Sequence, residues 1–227
     1  MPDNAISHDH TGANARASAK ARQKWGGLAC FLLAAAFIVP PAIHLVGDLR
    51  TAFGPFAYDL ADFLYGPVWA ASLVMAVFAL RERIGEYAPR RMSLALLAAF
   101  LAAGAMVAVA CIRSANRHYH IAHPELHLES SIDVLLVWTT IVAGLTAAGF
   151  HFLGWTLALV GSAGWTSRRL PRPLSVLYLA AGVVSLFVYT RMDIDPAAAL
   201  LGMAVFIWQG ILLWNAAPDA IDGQELP

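Results

Sequence analysis

VLLVWTTIVAGLTAAGFHFLGWTLALVGSAGW, Val134 to Trp165, runs for thirty-two residues without an Asp, Glu, Lys or Arg. As one helix it would be about 48 Å long at ~1.5 Å per residue. Bilayer hydrocarbon is ~30 Å thick and needs only ~20 apolar residues to cross it. The stretch therefore predicts a membrane-crossing helix that either kinks at "GFHFLG" or tilts and protrudes. Gly144, Gly149, Gly154 and Gly161 are placed to let neighbouring helices approach closely, and they favour a single tilted helix.

Working outward, the whole chain is of this character. Hydrophobic residues make up 59% and charged residues 13% of 227, with a mean hydropathy of +0.62. A soluble domain carries roughly 25% charge. Six apolar runs can be placed, at about 26–46, 58–80, 92–112, 132–159, 174–189 and 196–214. Turn formers separate them: "FGPF", "APRR", "RLPRP" and "DIDP". The expected fold is all-α, a polytopic bundle of six transmembrane helices. Residues 1–25 form a flexible basic tail, 26–215 the membrane domain and 216–227 an acidic tail. The first apolar run is too long for a signal-peptide core, so it reads as a retained span.

Orientation follows from Lys and Arg. Of fifteen, eleven fall on one side: Arg16, Lys20, Arg22 and Lys24 before the first span, Arg81, Arg83, Arg90 and Arg91 after the second, and Arg168, Arg169 and Arg172 after the fourth. The positive-inside rule places both termini in the cytoplasm of a cell whose inner membrane holds the chain. Net charge is zero, which gives no electrostatic case for nucleic acid; the bilayer itself is the expected partner. Cys30 and Cys111 fall near opposite faces, so a disulfide is not expected.

"ACIRSANR" closing the third span, "HFLGWTLALVGSAGW" in the fourth and "RRLPRPLSVLYLAAGV" opening the fifth resemble uncharacterised bacterial six-helix integral membrane proteins of the domain-of-unknown-function kind. The likeness runs from about Arg113 to Trp214. It implies the topology and assigns no site residues.

The polar stretch RSANRHYHIAHPELHLES, Arg113 to Ser130, joins the third and fourth spans on the outward side. Arg113 and Arg117 lie four apart, and Glu125, Glu129 and Asp133 repeat every four. An antiparallel hairpin would set this basic stripe beside the acidic one, because charges at a membrane edge pair. The competing reading is a divalent-metal site, zinc or another first-row ion, held by His118, His120, His123 and His127 with Glu125. Pro124 weakens the HxxxH geometry by biasing His123 towards extended backbone. His8 and His10 read as part of a solvated tail. His44, Asp48, Asp59, Asp62, Arg191, Asp193 and Asp195 mark the other outward helix ends and could join the hairpin in one vestibule. Inside the spans stand His151 and Gln209, with the Thr139/Thr140 pair as candidate hydrogen-bond partners; Ser72 and Ser185 have no evident base. Three functions follow. The leading one is a non-enzymatic protein that senses or binds a small ligand through its outer face, with no cofactor. The others are a metal-dependent membrane hydrolase at the outer histidines and a small transporter with a polar path near His151 and Gln209.

Overall fold

A chain whose apolar residues come in long runs satisfies its backbone within each run, and here every described element is a helix. The computed structural model describes the backbone of residues 6–45, 55–122, 131–188 and 195–215, with side chains over 18–38, 56–119, 122, 136–188 and 196–215. The helices are α1 (Ile6–Leu45), α2 (Pro55–Phe63), a π-helical turn (Leu64–Val68), α3 (Trp69–Ile84), α4 (Pro89–Ala122), α5 (Ser131–Ser167), α6 (Arg172–Phe187) and α7 (Asp195–Trp214). α2, the π turn and α3 follow one another without a break, so the described chain forms six rods. Four stretches are long and apolar enough to cross a membrane: Phe56–Ile84, Pro89–Tyr119, Leu136–Ser167 and Pro196–Trp214. α6 is a shorter apolar helix.

Two features of the rods bear on the expectations. α5 is a single continuous helix through "GFHFLG", as the glycine spacing favoured. The basic tail, expected to be flexible, is helical from Ile6 onward and continuous with the first apolar run. Its "ANARASAKARQK" is rich in Ala, Arg, Lys and Gln, which are good helix formers, and the apolar helix beyond it supplies the costly nucleus. The acidic segment 216–227 lies outside the described residues.

Consecutive rods pack antiparallel around a ring, and α7 closes it by returning along α1. The register is visible in single contacts. Phe37 meets the edge of Trp69 at a centroid distance of 6.5 Å and stacks on Phe206 at 6.2 Å. Gly26 faces Ala79, the Thr156 hydroxyl reaches the Ala95 carbonyl at 3.5 Å, and Gly149 faces Met106. This alternation gathers the N-terminal half of α1 with Arg81, Arg83, Arg90, Arg91, Arg168, Arg169 and Arg172 at the lower end. The start of α2 and the close of α4 meet at the upper end.

The faces of α4 are sorted by size rather than by polarity. On α4 the buried stripe is Ala95, Ala99, Ala102 and Met106, and the exposed face is Leu94, Leu97, Phe100 and Leu101. Lipid tails are as apolar as leucine, so this face gains nothing by hiding its large side chains, and its small residues let the neighbouring helices approach. Glycine positions come nearest to another helix's backbone between α5 and α6. A Cβ built on Gly182 would lie 2.6 Å from the Ala158 nitrogen, and one on Gly154 would lie 2.8 Å from the Gly182 oxygen. Threonines within α5 return their hydroxyls to the carbonyl four residues earlier, as Thr140, Thr146 and Thr156 do, which satisfies them without water.

Candidate functional site at the upper end of the bundle

The second rod begins with PFAYDLADF, in which Asp59 and Asp62 stand three apart on one face of α2. Pro67 then lacks the N–H a regular helix needs, and the chain widens into the π turn around it. Gly66 within that turn lies against Ala110; a Cβ there would come within 2.3 Å of the Ala110 side chain. This contact fixes α2 beside the last turns of α4, where Arg113 and Arg117 stand four apart.

Arg117 bridges the two carboxylates. One end of its guanidinium donates to Asp59 and the other to Asp62, and its plane lies 5.2 Å from the centroid of the Tyr58 ring. Arg113 stands 4.0 Å from the second Asp62 oxygen, and His118 Nε2 is 3.5 Å from Asp59. The Arg117 side chain is 20% exposed, Asp62 8% and Asp59 33%. A fork-shaped cation between two acids three residues apart is the geometry arginine suits and lysine does not.

Below the acids, α2 and α4 part to leave a groove of about 570 Å³, walled by Phe56, Phe63, Pro67, Ala110 and the exposed Cys111, with Asp59, Asp62 and Ser114 as its polar lining. A second pocket of about 250 Å³ opens on the other side of Arg113, between α4 and α5. No family model matches the chain, nor does any curated protein or solved structure. The functional reading therefore rests on this geometry.

Arg113 and Arg117, the basic half of the expected hairpin, lie against α2, because the ring sets α2 beside α4 with Asp62 buried and Asp59 half-buried there. Glu125, Glu129, His123 and His127 lie outside the described residues, as do Asp48, Arg191 and Asp193. His120, Asp133, His44, His8, His10 and Asp195 have a described backbone only. Of the proposed metal ligands the structure places the side chain of His118 alone, beside Asp59. Among the described residues no group of three or more His, Cys, Asp or Glu is arranged to hold a metal. The pairing of Asp59 and Asp62 with Arg117 was not read from sequence, although an i,i+3 acid pair and an i,i+4 arginine pair at adjoining span ends are its signature.

His151 sits apart, on α5 against α6. Trp155 Nε1 donates to its Nε2 at 3.2 Å, and Nδ1 lies 3.4 Å from the Leu186 carbonyl. Trp155 and Leu186 are thus among its partners. Gln209 is fully buried in α7, and neither amide atom has a hydrogen-bond partner among the described residues. His151→Leu is expected to lower stability by about 1 kcal/mol through loss of a helix-bridging hydrogen bond. Detergent-phase melts check this, and an unchanged melt would show that the bridge contributes nothing.

At the lower end cations meet aromatic rings. Arg169 lies over Tyr87 at 4.5 Å and donates to its hydroxyl, Lys24 lies 5.7 Å from the centre of the Trp214 ring, and Arg22 pairs with Glu82 at 2.8 Å. Arg91 donates to the Ser162 carbonyl at 3.1 Å and to the Thr166 hydroxyl at 2.9 Å.

Proposed function

We propose that the chain is a six-span inner-membrane protein with both termini in the cytoplasm, and that it binds or senses a small ligand through its outward upper end. The observation that carries this reading is the ion-paired cluster of Asp59, Asp62, Arg113 and Arg117 at the head of an open groove. Charge is costly to keep within a membrane-spanning helix and marks a functional position there by default, and these four residues fall inside the apolar stretches Phe56–Ile84 and Pro89–Tyr119. The aspartates are taken up by Arg117, which occupies oxygens that a metal or a substrate proton would need. This favours binding over hydrolysis.

Orientation is supported by the lower end, where the arginines gather with Trp25, Tyr87, Trp165 and Trp214 on the exposed surface. With Cys30 and Cys111 replaced, single cysteines at Ala122 and Ala197 should react with an impermeant thiol reagent in intact cells, and cysteines at Ser167 and Ala220 should not. The reversed pattern would place the upper end in the cytoplasm. Binding is read by thermal shift of the purified chain against a panel of amino acids, polyamines and small carboxylates. A stabiliser whose effect is lost in Asp59→Asn supports the groove as the site, and a panel without any such compound counts against it.

A further inference from the structure

Two helices present the same spacing to one another near the upper end. α4 contributes Ile112, Arg113 and Asn116, and α5 contributes Trp138, Thr139 and Val142; each set follows an i, i+1, i+4 pattern. Together they line the pocket of about 250 Å³. Ile112 and Val142 supply its apolar part, and four polar side chains supply the rest. Arg113 and the Trp138 indole N–H offer only donors, and the Asn116 amide and Thr139 hydroxyl add further N–H and O–H groups beside their acceptor oxygens.

These donors are not spent elsewhere. Asn116, Trp138 and Thr139 make no side-chain hydrogen bond to another described residue. Arg113 reaches the Asp62 carboxylate only at 4.0 Å, beyond hydrogen-bonding distance, and its side chain is 40% exposed. Arg117 already neutralises Asp62 closely, so Arg113 is the cation of the cluster with capacity left. The volume is below the roughly 300–1,000 Å³ of pockets for drug-sized ligands and suits a group of a few heavy atoms.

We propose that this pocket between α4 and α5 binds a small oxyanion, a carboxylate or phosphate group, with Arg113 as its charged anchor and Asn116, Trp138 and Thr139 as neutral donors. Charge-assisted, bidentate contact with such a group is what guanidinium provides best. The anion draws Arg113 away from Asp62 and so couples the pocket to the α2/α4 cluster. The proposal names the ligand class for upper-end binding, but it uses a different pocket from the groove and does not depend on which way the upper end faces. A topology result that reverses the orientation leaves it standing, and its own failure leaves the groove standing.

Trp138 is a built-in reporter. Tryptophan fluorescence of the full chain, purified in detergent, is titrated with acetate and with inorganic phosphate at constant ionic strength set by potassium chloride. A separate arm adds dioleoylphosphatidic acid to the micelles. A saturable change is expected that is absent in Trp138→Phe, lost in Arg113→Gln and weakened at least tenfold in affinity in Thr139→Val. Thr139→Val touches no ion pair, so it keeps the test open should Arg113→Gln fail to fold. A response to free anions identifies a soluble oxyanion, and a response to phosphatidic acid alone identifies a lipid headgroup; either supports the site. No response in any arm overturns the proposal, and so does a response that survives in a folded Arg113→Gln or is unaltered in Thr139→Val.

Discussion

Arg117→Ala should lower the stability of the bundle by about 3 kcal/mol, the low end of the range for removing one partner of a buried ion pair, because Asp62 is buried while Arg117 and Asp59 are half-buried. The cost does not come mainly from the attraction lost. It comes from two carboxylates left on α2 without the fork between them, one of them 8% exposed, with Arg113 no closer than 4.0 Å to Asp62 and His118 3.5 Å from Asp59. An exposed pair would give only about 0–1 kcal/mol, so the magnitude itself separates the cases. Arg117→Lys should recover a minority of the loss, because an ammonium cannot bridge two acids as a fork. Adding Asp62→Asn to Arg117→Ala should restore part of it by removing the orphaned charge, and the double-mutant cycle should show coupling. Glu129→Lys in the same background should restore less. Unfolding in detergent measures all four, and stronger coupling to Glu129 than to Asp62 would return Arg117 to the hairpin.

The second large effect is expected at the α5–α6 seam. Gly182→Val places a branched side chain where a bare Cβ already lies 2.6 Å from the Ala158 nitrogen and 2.9 Å from the Gly154 oxygen. Both obstacles are backbone, so no rotamer change relieves them and the helices must separate. Overpacking typically costs about 1–3 kcal/mol, and a backbone obstacle belongs at or above the upper figure. Gly154→Val should behave alike, with the Gly182 oxygen and the Leu186 nitrogen each 2.8 Å away. Gly144→Ala is the control: nothing lies within 4 Å of its Cβ position, and alanine is the better helix former by about 1 kcal/mol. Equal losses at Gly182 and Gly144 would mean that glycine matters here for something other than close approach.

The helical content and the alternation of the rods were legible in the sequence, since run length and turn residues determine them locally. An apolar run of thirty-two residues has no other way to satisfy its backbone in lipid, and short polar turns between such runs force consecutive helices to oppose one another. The gathering of arginines on one side followed from the same alternation. Even the breadth of the polar upper end was visible, as Asp59, Asp62, Arg113 and Arg117 all fall at span ends of one side.

What the sequence could not assign was the partner of each group. Arg117 has acids within reach on two sides: Glu125 and Glu129 a few residues along the chain, and Asp59 and Asp62 more than fifty residues back. Proximity in sequence favours the first set. The tertiary structure sets Asp59 and Asp62 on Arg117, because Gly66 lets the π turn close on Ala110 and brings α2 against α4. His151 follows the same logic, its ring held by Trp155 one turn along its own helix and facing Leu186 on a helix that only packing selects. Composition determines that a chain will live in lipid and how many rods it can form, because those depend on each segment's transfer from water. Which charges meet depends on ring closure and on where small residues allow backbones to touch, and that is decided between segments rather than within them.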